Sequence, residues 1–459
     1  MMTMSGLTFW RSGYLISMQA RHYKNIVLGA GISGLTAALE LQAKGLDVVV
    51  LEKSGKASGV LQSIKKDGFA WDRAAHTIAV DQEVKSFLER YGVSKLLVKP
   101  SDVAKVRQIA IKDEIWDISS NPLKIFGAPF LSFNAKLKLV RELFKAPIKS
   151  DNPTVYEFFE YHFGSEITQN IISAVFAGIY AGNIEQMEMK SVMAKVYEIE
   201  QGAGSIIRGL IKNKGSFGGR EIFGLKGGME ALGHQLAERL ENICYGTSIH
   251  KVERRNGKYH VETSGQEFTC DHLISTLPSY ALEGLISELS PNMQKMLKAI
   301  SYEPMVLIHV GFPGQVHQVN SKAFGFLCSQ YDSPVLKGAL YNSDLFEERA
   351  PSGFDAYTIF MKPKIKWLDD EDKLEVEVLR TVEHFKRLTH ITTEATIIEK
   401  SVWRNAIPQF NRPYAELKSA LLRESREIPG FTLSGSYISG VSVPDCIKYN
   451  MKLASELSV

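Results

Sequence analysis

The sequence predicts an α/β protein. A parallel nucleotide-binding sheet opens near the N-terminal end, is interrupted by long insertions, and is completed by the last residues of the chain. Three stretches predict it. "NIVLGAGISGLTAALELQAKGLDVVVLEK" (25–53) reads as strand, glycine turn, helix and strand. "HKVERRNGKYHVETS" (250–264) reads as a hairpin about Asn256-Gly257. "LSGSYISGVSVPDCIKYN" (433–450) reads as a small-residue turn followed by a last helix, with Ser442, Pro444 and Asp445 as its start signals.

The opening stretch justifies its elements one by one. "NIVL" is a short apolar run ending in glycine, hence a buried strand. Leu35, Ala38, Leu39 and Gln42 then recur at helical spacing, and Gly45 ends the helix. "DVVVLEK" is too apolar for either face to be solvated, as in parallel strands. From about 80 to 215 the pattern is mostly helical, broken by Pro and Gly at 121–134. Beyond 278, strand-like runs ("MVLIHVGF", "DAYTIFMK") precede an amphipathic helix, "EDKLEVEVLRTVEHFKRL" (371–388).

"GAGISG" supplies Gly29, Gly31 and Gly34 between strand and helix. The first permits a tight turn, the second admits a pyrophosphate to the backbone, and the third lets helix and strand pack closely. The helix start then presents unpaired N–H groups to the phosphates. Glu52 ends the second strand, where an acid accepts hydrogen bonds from a ribose. NAD and FAD both satisfy this pattern. The continuation "EKSGKASGV" (52–60) resembles the E-x-x-x-R-x-G-G run of FAD-containing oxidases, with Lys56 for the arginine, Ser58 for the first glycine, and Gly59 retained. Lys56 by itself also reads as a solvated surface lysine.

At 459 residues the chain has room for two or three domains, and 44% hydrophobic with 23% charged residues is ordinary globular composition. A net charge of +3 gives no footprint for nucleic acid. The four cysteines, Cys244, Cys270, Cys328 and Cys446, form no C-x-x-C pair. That argues against a disulfide framework or a metal site and fits a reducing, cytoplasmic setting. No stretch reaches the roughly 18 apolar residues of a membrane-spanning helix. Residues 1–23 are expected to lie outside the fold, either as an over-extended start before Met18 or as an acid-free, mitochondrial-type presequence.

Further motifs narrow the resemblance. "FAGIYAGNIEQMEM" (176–189), "YEIEQGAGSIIRGLI" (197–211), "FGLKGGMEAL" (223–232), "WRNAIPQF" (403–410) and "GVSVPDCI" (440–447) stand in the order found in protoporphyrinogen oxidases. These are amine-oxidase-like flavoenzymes of haem biosynthesis, and the resemblance covers 24–459. Departures are Ala74-Ala75 where the family has G-P, and Pro413-Tyr414 where G-H is common.

The resemblance implies a discontinuous Rossmann-type FAD-binding domain (24–78, 218–282, 428–459). It adds a mixed-sheet substrate domain (79–98, 192–217, 283–427) and a helical, membrane-facing insertion (99–191). It places FAD against Gly29, Ala30, Gly31, Ile32, Ser33, Gly34, Glu52, Lys56, Gly59 and Val60. The turn Ala74, Ala75, His76 and Thr77 joins them, with Val252 at the adenine and Ser436, Val441, Ser442 and Val443 at the flavin end. Val252 alone is as readable as a buried strand valine, and His76 as a satisfied core histidine.

Arg107 in "KVRQIAI" matches an arginine that pairs with a substrate propionate, and Gly178 a glycine whose carbonyl faces the macrocycle. Their bland alternatives are a strand-edge arginine and a helix-packing glycine. No catalytic acid or base is assigned, since the flavin carries the redox chemistry.

The implied activity is oxidation of protoporphyrinogen IX by repeated two-electron transfers, with oxygen or a quinone-linked acceptor reoxidising the flavin. Coproporphyrinogen III, an amine or a carotenoid precursor are alternatives, as is a non-catalytic flavin-binding protein. The basic, Phe- and Leu-rich stretch 121–150 has the composition of a surface lying in lipid headgroups, which makes peripheral membrane contact an expectation. A solvated basic face is the alternative there. A homodimer is compatible with the resemblance.

Overall fold

The structure, a computed structural model, describes residues 20–118, 126–213, 219–314 and 322–457. Its first sheet runs in the order Ile243–Cys244, Val48–Leu51 (β2), Arg21–Leu28 (β1), Phe268–Ser275, Lys258–Thr263, Ile249–Arg255. Phe431–Leu433 adds a parallel strand beside the second half of Phe268–Ser275. β1 and β2 are parallel and paired from Asn25↔Val48 to Leu28↔Leu51. Alternation decides the two faces. Val27, Val48, Val50 and Ile274 point into one core, and Ile26, Leu28, Val49, Leu51 and Leu273 into the other.

β1 begins earlier than expected. Arg21, His22 and Tyr23, placed outside the fold by the sequence, pair with Phe268, Thr269 and Cys270, and Tyr23 packs on Phe268. Residues 1–19 lie outside the described residues, so the two readings of the start concern only that part.

Helix α1 (Ile32–Ala43) and the final helix Val443–Glu456 share the first core. They run parallel. At the far end Lys44 Nζ, just past α1, donates to the Ser455 and Leu457 carbonyls at 3.2 and 3.3 Å. Both helices therefore begin at the same end of the sheet, where β1 and Phe431–Leu433 also finish.

The second sheet has the order Ile397–Pro408, Tyr302–Pro313, Phe354–Met361, Leu336–Tyr341, Gly325–Cys328, Arg107–Ile111, Glu114–Ile118. Helix Glu371–Thr389 covers one face through Val378, Val382 and Phe385, against Phe312, Phe326 and Tyr357. The opposite face carries Met305, Leu307, His309, Leu327, Leu340 and Phe360.

The helical insertion needs two corrections. Its expected opening at 99–118 instead holds the last two strands in the order of this sheet, turned by Lys112 and Asp113 at φ of 51° and 61°. Their alternating "RQIAI" and "EIWDI" fit a pleated edge better than a helix. At the other end, Met189–Ala203 and Ile206–Lys212, expected with the substrate sheet, pack through Val196, Ile206 and Ile207 on the phenylalanine core of helices Phe133–Glu142, Val155–Phe163 and Ser173–Tyr180.

Candidate active site

At the glycine turn, Gly29 has a φ of +96° and its N–H bonds the Leu51 carbonyl at 2.8 Å. A Cβ on Gly34 would stand 1.9 Å from the Gly29 carbonyl oxygen, so only glycine lets α1 lie on β1. A Cβ on Gly31 would meet nothing within 4 Å. That is the open side of the turn, and it is where a pyrophosphate fits.

Ala30 is buried, and its N–H donates to Glu52 Oε2 at 2.7 Å. Glu52 Oε1 accepts from the Ser54 N–H and hydroxyl at 2.8 and 2.6 Å. Each oxygen has two acceptor positions, so Oε2 keeps one for a ribose hydroxyl. Ser33 is buried and Ile32 half-buried at the first turn of α1.

Lys56 is not free. Its ammonium lies 2.6 Å from Glu230 Oε1, and Glu230 Oε2 accepts from the Ser63 N–H at 3.0 Å. Ser58 is buried at φ +91°, a region that favours glycine, and its hydroxyl donates to the Glu230 carbonyl at 2.9 Å. Gly59 rests against Gly31, and Val60 is exposed.

The turn 74–77 sits between the two sheets. Ala75 packs with Ile32 on the first core, while the His76 ring meets Phe360 edge-on at 5.6 Å. His76 is buried with no hydrogen-bond partner on either nitrogen, and burial, with Arg349 nearby, holds its pKa down to about 3. It is a neutral ring that forms wall; Ala74 and Thr77 are half-buried beside it.

The C-terminal turn meets this site from the other side. Gly435 and Gly440 have φ of +114° and +113°, bracketing the short helix Ser436–Ser439. Ser442 caps the final helix, accepting from the Asp445 N–H at 3.2 Å and donating to Asp445 Oδ2 at 2.6 Å. Pro444 has no N–H, and Cys446 N–H bonds the Ser442 carbonyl at 3.0 Å. The helix start thus offers an approaching ring the Val443 N–H alone from its first turn, with half-buried Val441 and Ser436 alongside.

Val252 requires a correction. Its N–H donates to the Leu285 carbonyl and its carbonyl accepts from the Ser287 N–H, at 2.8 and 2.9 Å, so neither group is left for an adenine. The hairpin backbone that meets Glu52 is Thr247, whose N–H bonds the Glu52 carbonyl at 2.8 Å, followed by a bulge at Ile249–Lys251.

On the substrate side, strand Gly325–Cys328 brings Arg107 and Gly178 together. Arg107 opens the parallel neighbouring strand, and Gly178 lies on the helix packed over Leu327. Gly178 is exposed, and a Cβ there would meet Leu327 Cδ2 at 2.5 Å. The Arg107 guanidinium stacks on Phe324 at 3.6 Å, Nη1 is buried without a partner, and no carboxylate pairs with it among the described residues.

Residues that sequence reading passed over lock these parts. Trp403 Nε1 donates to the Arg73 carbonyl at 2.7 Å and its ring lies under the Arg73 guanidinium at 5.6 Å, fixing the 74–77 turn. Gln409 Nε2 reaches the Tyr180 carbonyl at 2.9 Å and anchors the end of the Gly178 helix. The buried pair Asp72–Arg349, at 2.9 Å, ties the strand Phe69–Asp72 to the turn Glu347–Arg349. Trp403 and Gln409 stand in the "WRNAIPQF" motif; Arg349 carries no sequence signal.

The match to the family of flavin containing amine oxidoreductases spans residues 32–449. The chain belongs to that family. Glu52, the open face of Gly31 and the two converging helix starts fit FAD, the cofactor of this flavoenzyme. Among similar proteins are "Protoporphyrinogen oxidase 2, chloroplastic/mitochondrial" of Arabidopsis thaliana, 26% identical over 93% of this chain and 92% of that one, and "Coproporphyrinogen III oxidase" of Bacillus subtilis (strain 168), 24% identical over 94% and 97%. A solved structure from Exiguobacterium sp. 255-15 superimposes with a TM-score of 0.79 at 19% identity, covering 95% of this chain and 98% of that one. Putrescine oxidase superimposes at 0.70 with 15% identity, over 95% and 99%. Those two share the fold.

Proposed function

We propose that this flavoenzyme oxidises protoporphyrinogen IX to protoporphyrin IX in haem biosynthesis. One observation carries the choice of substrate. Arg107 is a part-buried guanidinium with no protein acid, beside a wall of Phe324, Leu327, Leu340 and Phe360. A planar fork pairs two-pronged with a carboxylate. The apolar wall suits a large macrocycle.

FAD, when bound, supplies the electron sink that no side chain provides. Arg107 holds a propionate, and the Gly178 helix leaves the macrocycle bare backbone. Reoxidation falls to oxygen or a quinone-linked acceptor. Neighbouring cations are committed elsewhere: Lys362 to Glu303 at 2.9 Å, and buried Lys337 to the Ser333 carbonyl at 2.9 Å. With Arg107 the free cation of this wall among the described residues, the substrate with fewer propionates is favoured over coproporphyrinogen III. Anaerobic mixing tests this. Flavin bleaching is expected faster with protoporphyrinogen IX, and faster bleaching with coproporphyrinogen III reverses the assignment.

The same reading includes peripheral membrane docking. On helix Phe133–Glu142 and just beyond it, Phe133 and Phe144 are 84% and 81% exposed and Val140 44%, on one face with Leu137 and flanked by Lys136 and Arg141. Residues 121–125 of the basic stretch lie outside the described residues. No described helix is long and apolar enough to cross a membrane. Phe133→Ser with Phe144→Ser is expected to abolish flotation with anionic liposomes; flotation equal to that of the unmodified protein refutes docking here.

A further inference from the structure

Within the helical insertion, away from the flavin and from Arg107, three ionisable side chains are fully buried against one another. His162 Nδ1 lies 3.1 Å from Glu142 Oε1 and Nε2 lies 3.0 Å from Glu200 Oε1; all three side chains are 0% exposed. They come from three helices: Glu142 from Phe133–Glu142, His162 from Val155–Phe163, and Glu200 from Met189–Ala203. Glu142 also accepts from the Ser205 hydroxyl at 2.7 Å and the Ile206 N–H at 2.6 Å. Glu200 accepts from the Ile148 N–H at 2.7 Å and from Gln201 Nε2 at 2.9 Å.

Two contacts need two protons, and the further N–H and O–H donors on Glu142 and Glu200, which favour ionised carboxylates, place both on the ring. A neutral imidazole has one N–H, yet both ring nitrogens here face carboxylate oxygens at bonding distance. Without the second proton a bare nitrogen would oppose a carboxylate oxygen in a dry interior, and one buried charge would lose its donor. We propose that Glu142–His162–Glu200 is a proton-held lock, in which the imidazolium pins the Phe133–Glu142 helix to the two helices behind it and loss of that proton on the alkaline side releases it.

The surroundings are consistent with this. Facing the cluster are Lys145, whose ammonium sits over the Tyr161 ring at 3.9 Å, and Arg208, which bonds the Lys145 carbonyl at 3.1 Å. Tyr197 on the Glu200 helix bonds the Ser150 carbonyl at 3.3 Å. None of these cations pairs with Glu142 or Glu200, so His162 is the cation that joins the two acids. Burial alone would lower the His162 pKa, but the bonds to Glu142 and Glu200 outweigh it and raise it. The contribution is therefore complete below the ordinary imidazole value and is lost as pH rises through the raised one. Burial would raise the Glu142 carboxyl, but the bonds from His162, Ser205 and Ile206 hold it below its usual range. The lock therefore also fails at strongly acid pH.

The released helix carries exposed Phe133 and Val140, so the lock sets how firmly that apolar stripe is presented. Hydrogen–deuterium exchange of the full FAD-loaded chain between about pH 6 and about pH 9 tests it, with intrinsic rates divided out. Protection of 133–142 is expected to fall about tenfold relative to β1 as pH rises, and His162→Gln to show the low value at every pH. Constant relative protection in the unmodified chain, or an unchanged pH profile in His162→Gln, overturns the proposal. Should His162→Gln fail to fold, Glu200→Gln decides. Loss of protection at lower pH than in the unmodified chain supports the lock, and an unshifted midpoint rejects it.

Discussion

Lys56 stands beside the cofactor turn and Arg107 beside the proposed substrate wall, and the fold treats these two cations in opposite ways. Lys56 is half exposed and answered by Glu230, 174 residues away in the chain. Arg107 is part-buried on an aromatic ring and answered by nothing among the described residues. On the cofactor side the anion is met by backbone, through the open Gly31 turn and the helix starts, so a side-chain cation is free to serve as a structural tie. On the proposed substrate wall the described surface is apolar, with Phe324, Leu340 and Phe360 side by side, and the proposed recognition rests on this one guanidinium.

The largest expected effects test the backbone half of that comparison. Gly34→Ala drives a Cβ to 1.9 Å from the Gly29 oxygen. It should cost about 3 kcal/mol or more, giving poorly folded protein without flavin absorbance. Gly31→Ala meets no protein atom within 4 Å. It should fold with an unchanged far-ultraviolet spectrum and still lose FAD affinity. If it retains FAD as well as the unmodified protein does, the pyrophosphate does not approach Gly31.

Arg107→Ala comes next. A charge-assisted hydrogen bond is worth about 1.5–3 kcal/mol, which is about tenfold to a hundredfold in KM. The FAD spectrum and the rate at saturating porphyrinogen should hold. A fall in kcat at constant KM would mean that Arg107 shapes the flavin side instead.

How much of this was readable in advance follows the physics of range. Val48 to Leu51, Gly29 to Gly34 and the Ser442 cap are local, and periodicity or spacing exposes them. The hairpin Arg107–Ile111 and Glu114–Ile118 was hidden because the strand that joins it to the sheet, Gly325–Cys328 beside Arg107–Ile111, comes much later in the chain. Val252 misled because register within a bulged hairpin depends on the segment at 285–287 that takes its backbone groups. The Lys56–Glu230 tie and the Glu142–His162–Glu200 lock are long-range charge contacts, for which no local pattern exists.

Lys56→Ala should have a smaller effect than Arg107→Ala. A pair with one member half exposed contributes about 0.2–1 kcal/mol, so Tm should drop by a degree or two and FAD affinity should barely change. Burial raises the Glu230 carboxyl, but bonds from Lys56 and Ser63 outweigh it and hold it below its usual range. The stabilisation is present above the ordinary carboxylate value and disappears as pH falls through the lowered one. Thermal melts of the two proteins should converge in acid. A loss of FAD affinity beyond tenfold would return Lys56 to the phosphate site.

The smallest effect isolates the departure next to Lys56. Ser58 stands at φ +91° where FAD oxidases of the resembled pattern carry glycine, a conformation costing a non-glycine residue about 1–3 kcal/mol. It is partly offset by the 2.9 Å bond to the Glu230 carbonyl, a bond worth about 1 kcal/mol. The side chain also fits only because residue 233 is glycine, since a Cβ there would lie 2.0 Å from Ser58 Oγ. The remaining ~0–2 kcal/mol is reduced by the ~0.5–1 kcal/mol of chain entropy that glycine costs, so Ser58→Gly should raise Tm only slightly, with FAD affinity unchanged. A lower Tm would mean that the Ser58–Glu230 bond outweighs the strain, and that serine was retained here for the same reason as Lys56: to fasten the loop under the cofactor to the Glu230 helix.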